Sequence, residues 1–208
     1  MKGRINMKKI VMTFALAAMA VGIIGCQPPT TNIDTVNDTG KAVMALDYRD
    51  FQRAASVMIE SMSKSPQLTK PDGGRYVMAV SNIVNDTMQR IDIDQLTAKI
   101  EEELLNGGRV VLTSAVGKNK VDNMVHDARE LRDNDEFNQN TTAAKGQLIA
   151  PELSLAGKIL QRNVKVDSKT QQIEYYFQLK VSDISSGLVI WQKEEVLGKR
   201  GSSKSVSW

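Results

Sequence analysis

The chain has 208 residues, 41% hydrophobic, 5% aromatic and 25% charged, with one cysteine, one histidine and a formal net charge of +3. That balance suits one globular domain with an added tail and excludes collagen-like, coiled-coil and wholly disordered chains. One cysteine and one histidine also exclude an internal disulfide framework and a Cys/His metal cluster. The positive charge is no sign of nucleic-acid binding, because Lys2, Arg4, Lys8 and Lys9 supply it in a leader without acidic residues. From Cys26 onward the two signs nearly cancel, and the basic end, Lys199, Arg200 and Lys204, reads as a solvated tail.

In chain order, Met7-Lys8-Lys9 opens an apolar run from Ile10 to Ile24, shorter than the about 20 residues of a membrane-spanning helix. A cationic start, an apolar middle and a small-residue end are the order of a secretory signal, with Met1 or Met7 as the start. Ile23-Ile24-Gly25-Cys26 is similar to the bacterial lipobox, so Cys26 is expected to be lipidated and to become the new N-terminus. Gln27 stands where an aspartate would retain such a lipoprotein in an inner membrane, which directs the expectation to the outer membrane, facing the periplasm. Residues 26–46 lack a lasting period and are rich in Pro, Thr, Asn, Asp and Gly, as a flexible tether should be. Such a coil of about 20 residues spans roughly 25 Å and at most about 70 Å when stretched.

The pattern changes at Asp47. Phe51, Ala54, Ala55, Met58, Ile59 and Met62 recur at helical spacing, with Asp47 as a cap and Pro66 beyond the end. A Pro71-Asp72-Gly73-Gly74 turn leads to a strand over Tyr76–Ile83, and a second helix carries Ile93, Leu96, Ile100 and Leu104 inward, capped by Asp92 or Asp94. Val110–Thr113 is a second strand, which a connection of this length should place parallel to the first. A third helix presents Val121, Met124, Val125, Ala128 and Leu131 on one side, and Asp133–Gly146 reads as a long polar loop. Strict alternation then begins: Leu155, Gly157 and Ile159; Ile173, Tyr175, Phe177, Leu179 and Val181; and a closing run Leu188–Trp191 after Ser185-Ser186-Gly187, an antiparallel meander. The expected fold class is α/β (α+β), a single mixed β-sheet with helices on both faces ending in that meander. The expected boundaries are a signal peptide at 1–25, a lipidated tether at 26–46, a globular domain at 47–197 and a flexible basic tail at 198–208.

Signatures of chemistry are missing: there is no phosphate-binding P-loop, no dinucleotide fingerprint, no H-E-x-x-H and no G-x-S-x-G. His126 is read as a helix-surface histidine in preference to a general base, and Glu101-Glu102-Glu103 fan around a helix and do not converge on a metal. Of the aromatic cluster, Tyr175, Phe177 and Trp191 are expected in the core and Tyr176 on the surface. No cofactor, metal, nucleic acid or small-molecule substrate is expected.

The stretch Tyr76–Gly117, with Asn85-Asp86-Thr87, Ile91-Asp92 and Leu105-Asn106-Gly107-Gly108-Arg109-Val110, resembles the LpoB family of penicillin-binding protein activators. Asp183–Trp191 is similar to that family's closing turn and strand. The resemblance implies a fold similar to the N-terminal domain of TolB and an outer-membrane lipoprotein that docks on a class A penicillin-binding protein. It implies a non-catalytic regulator that raises the peptidoglycan synthase's activity. By that resemblance the contact is the loop Asn85–Arg90, with Asn85, Asp86, Thr87, Gln89 and Arg90; acidic Asp86 stands where a member carries a basic residue. A second reading is a lipoprotein component of an outer-membrane secretion pore similar to CsgG, for which Ile173–Val181 would supply a membrane strand.

Overall fold

The structure is a computed structural model that describes residues 32–35, 37, 39–117 and 121–205. The leader, Cys26 and Gln27 lie outside the described residues, as does Trp208. Two compact units are present, residues 1–40 and 41–208. In the first, the Asp34 carboxylate accepts from the Asn37 backbone and side chain; the second holds the helices and the sheet.

Helix α1 spans Tyr48–Ser63 and starts where the sequence supplies a cap: the Asp47 carboxylate accepts the Arg49 and Asp50 amides while Asp50 accepts the Asp47 amide. Its apolar stripe, Phe51, Ala54, Ala55, Met58, Ile59 and Met62, is buried throughout. A short 3-10 turn at Pro66–Leu68 follows. Strand β1 spans Tyr76–Asp86. Helix α2, Ile93–Asn106, is capped by Asp92, which settles the choice between two aspartates, and buries Leu96, Thr97, Ile100 and Leu104. Strand β2 spans Val110–Leu112, helix α3 spans Asn123–Glu130, and two single 3-10 turns occupy the polar stretch that follows. Strands β3 (Leu153–Lys165), β4 (Thr170–Asp183) and β5 (Val189–Ser202) form the antiparallel meander.

All five strands make one mixed sheet in the order β2-β1-β3-β4-β5, with β1 parallel to both β2 and β3. Leu153, Leu155 and Ile159 of β3 and Ile173, Tyr175, Phe177, Leu179 and Val181 of β4 point to one face and pack under α1 and α2 in one core. Phe51 meets Phe177 edge to face, with ring centroids 6.3 Å apart.

Four features refine or correct the expectations. Both long helices share one core and one face of the sheet; the opposite face carries Lys158, Glu174, Tyr176, Gln178, Lys180 and Gln192 and has no long helix over it among the described residues. Helix α3 buries none of its residues, and Met124 on its apolar side is 67% exposed. The assigned tail begins inside β5: Gly198–Ser202 pair with Thr170–Glu174, and Leu197 is buried. The assigned tether closes onto the domain before residue 46, because Met44 and Leu46 pack against the core. A parallel β1–β2 pair, the meander and the buried Tyr175, Phe177 and Trp191 match the expectations.

Candidate docking loop

The loop Asn85–Arg90 leaves the C-terminal end of β1, and its own side chains fix its shape. Asn85 reaches across it, donating from Nδ2 to the Gln89 carbonyl at 2.8 Å while its Oδ1 accepts the Thr87 amide at 3.1 Å. The Thr87 hydroxyl lies 2.7 Å from Asn85 Oδ1 and accepts the Gln89 amide at 3.1 Å. The Met88 amide donates to Gln161 Oε1 on β3 at 3.2 Å, tying the tip to the sheet. These bonds replace the pairing that a strand would have supplied, as Asn and Thr do in tight turns.

The loop therefore presents a fixed surface. Met88 is 76% exposed and Val84 just before it 48%, Arg90 is exposed, and Asp86 pairs with Lys158 at 2.6 Å. Both partners of that pair are well exposed, so it contributes little to stability and its charges stay available to a partner. A mixed charged rim around a flexible thioether suits adhesion to a protein surface. No group here is placed for nucleophilic or acid–base chemistry.

Gln89 behaves differently from its neighbours. It is 5% exposed, and its side chain is engaged inside the fold: Nε2 donates to the Tyr175 hydroxyl and Oε1 accepts the Leu46 amide at 3.1 Å. The Tyr175 hydroxyl donates in turn to the Met44 carbonyl at 3.0 Å. Alongside, Lys199 Nζ donates to the Ala45 carbonyl at 2.6 Å and pairs with Asp50. Burial pushes the Asp47 carboxyl up, but the Arg49 guanidinium, the Lys199 charge and the Asp50 and Arg49 amides outweigh it and hold it below its usual range.

Asn85, Asp86, Thr87, Gln89 and Arg90 are thus brought together in one loop, Gln89 as its buried foot and not as surface. Met88 and Tyr175 were missed from the sequence; Met88 stood in plain view inside the loop, whereas Tyr175 is 86 positions from Gln89 and carries no local signal. His126 is exposed on α3, its Nε2 2.9 Å from the Ala115 carbonyl, and Lys99 bridges to Glu102 and Glu103 along one helix. No group of three His, Cys, Asp or Glu residues able to hold a metal occurs among the described residues. A depression of about 390 Å³ is lined by Ser81, Asn82, Lys158, Gln178, Lys180 and Gln192, among others.

The family model described as peptidoglycan-synthase activator LpoB matches residues 50–197. Among solved structures, the LpoB C-terminal domain from Salmonella enterica is 14% identical, covers 71% of this chain and 98% of its own, and superposes with a TM-score of 0.45. The same domain from Escherichia coli is 15% identical at the same coverage with a TM-score of 0.44, and an NMR structure of E. coli LpoB covers 86% of this chain and 81% of its own with 15% identity and a TM-score of 0.43. No curated protein sequence matches.

Proposed function

The chain belongs to the LpoB family of peptidoglycan-synthase activators, and from that premise we propose that it binds a class A penicillin-binding protein and raises its activity from the outer membrane. The family match over residues 50–197 carries this reading, since it takes in the docking loop and all of the sheet except the last five residues of β5. In this reading the protein makes and breaks no bonds. It favours the synthase's active conformation by binding that state more tightly than the inactive one, which is the only way a ligand can shift such an equilibrium.

The anchor proposed is a lipidated Cys26, with Gln27 directing it to the outer membrane. Acyl chains contribute about 0.8 kcal/mol per buried CH₂, so several of them hold a protein at a bilayer. Among the described residues no helix is long and apolar enough to cross a membrane. The contact proposed is the outward surface of the loop, Asp86, Met88 and Arg90, held in shape by Asn85 and Thr87.

Among the described residues the fold gives no support to a pore. The strand that would serve one, Ile173–Val181, lies in β4 with its apolar row buried beneath α1 and α2. The test is capture of membrane-extracted synthases by the soluble fragment Thr30–Trp208, followed by a glycan-polymerisation assay. Recovery of a class A synthase with a rate increase on addition of the fragment is expected; no synthase in the eluate, or an unchanged rate, contradicts the proposal.

A further inference from the structure

The root of the tether and the docking loop meet at the same two side chains. Gln89 closes the loop with its backbone, its carbonyl accepting Asn85 Nδ2 and its amide donating to the Thr87 hydroxyl. Its carboxamide holds the tether root, accepting the Leu46 amide and donating to the Tyr175 hydroxyl, which donates onward to the Met44 carbonyl. Tyr175 is fully buried and Gln89 nearly so. A buried polar group that loses its partner pays the desolvation penalty of that group, so these bonds tend to hold or break together.

The root has a second, separate seat. Met44 lies over Gly201 of β5, where a Cβ would come within 2.6 Å of its sulfur. Lys199 fixes the next residue through the Ala45 carbonyl. Seating of Met44–Leu46 thus depends on the end of β5, and the position of Gln89 depends on that seating.

We propose that Gln89 and Tyr175 are positioning residues that latch the docking loop to the seated tether root, so that unseating Met44–Leu46 loosens Asn85–Arg90. The consequence for docking rests on the proposed role of this loop: a domain whose root is pulled from its seat presents a less ordered contact and binds its synthase more weakly. The arrangement makes attachment at the anchored end an input to recognition, by a two-state element both ends of which are on one hydrogen-bonded chain.

Amide hydrogen exchange on the full mature chain, without any synthase, tests the latch. Tyr175→Phe removes the bridging hydroxyl, and Gly201→Val displaces Met44 without touching the loop. Both are expected to speed exchange at the Leu46, Thr87 and Gln89 amides by about fivefold or more, the loss of one ordinary hydrogen bond. A merely local packing role for Gly201 would leave the loop unmoved. Loop amides exchanging at the parental rate in either variant overturn the latch and leave the docking proposal standing. If the loop loosens in both variants yet synthase affinity stays at the parental value, the latch holds and the docking role of the loop fails.

Discussion

Gly157 has no room for a side chain: a Cβ there would meet Leu179 Cδ2 at 2.6 Å and the Gln178 carbonyl at 2.8 Å. It sits where the β1–β3 register shifts between Val80 and Ile83, so close approach of three strands depends on it. The side chain of Leu179 can yield but the backbone carbonyl cannot, and Gly157→Ala is expected to destabilise the domain by about 1–3 kcal/mol in chemical denaturation. Gly198→Ala, with nothing within 4 Å of the added carbon, is the control and should stay near the parental midpoint. At the other end of the core, Asp47→Ala removes the N-cap side chain's half of a capping box, leaving the backbone amide of residue 47 to Asp50, and should cost about 1 kcal/mol by the same measurement. The carboxyls of Asp47, of Glu152 beside Lys70 and the Val77 amide, and of Asp183 beside Ser186 all sit below their usual range. A group whose folded value is depressed contributes stability above its unfolded value and loses it as pH falls through the folded one. Thermal midpoints should therefore be flat from neutrality to about pH 5 and fall below about pH 4. A midpoint that drops on going from pH 5 to pH 7 would contradict this.

Among the elements, those that bury a strong period were legible in advance. Helix α1 announces itself by spacing and by its cap, and β4 by five alternating apolar residues that all enter the core. Helix α3 has an equally clear apolar side that stays at the surface, because periodicity reports amphipathicity and not what lies opposite. Burial sets the cost of truncation: Ile100→Ala in α2 is expected to lose about 2–5 kcal/mol, while Met124→Ala in α3 should change stability by no more than about 0.5 kcal/mol. The far half of β5 was unreadable for a different reason. Lys193, Glu194, Glu195 and Arg200 are the charges with which an edge strand discourages pairing with other chains, and beside them Lys199, which turns in to Asp50 and the Ala45 carbonyl, looks in a sequence like part of a solvated end. Only the long partner β4 shows that these residues are held. The loop after β1 was legible as a polar break and, through family resemblance, as a contact; its internal bonding and the inward turn of Gln89 depend on Tyr175 and Gln161, which no local pattern links to it.

For the molecule as a whole, Met44 and Leu46 pack against the core, so this end of the expected tether is part of the domain. With the compact unit starting at Lys41, about 15 residues remain after Cys26, at most about 50 Å when fully stretched. On the proposed anchoring at Cys26 and the proposed role of the loop, so short a connection makes the geometry of attachment matter to recognition, where a long coil would make it irrelevant. The account requires the loop surface to act on a synthase by contact alone, with chemistry left to the partner. The most direct measurement is the rate of glycan polymerisation by the captured class A synthase with parental protein and with Met88→Asp, a substitution on an exposed side chain that gives up the weak 3.6 Å contact of Asn163 Nδ2 with the Met88 sulfur and keeps the bond from the Met88 amide to Gln161. The account predicts a rate increase with the parental protein, and a need for about tenfold more of the variant to reach it. Equal stimulation by both at every concentration, or none by either, would contradict it.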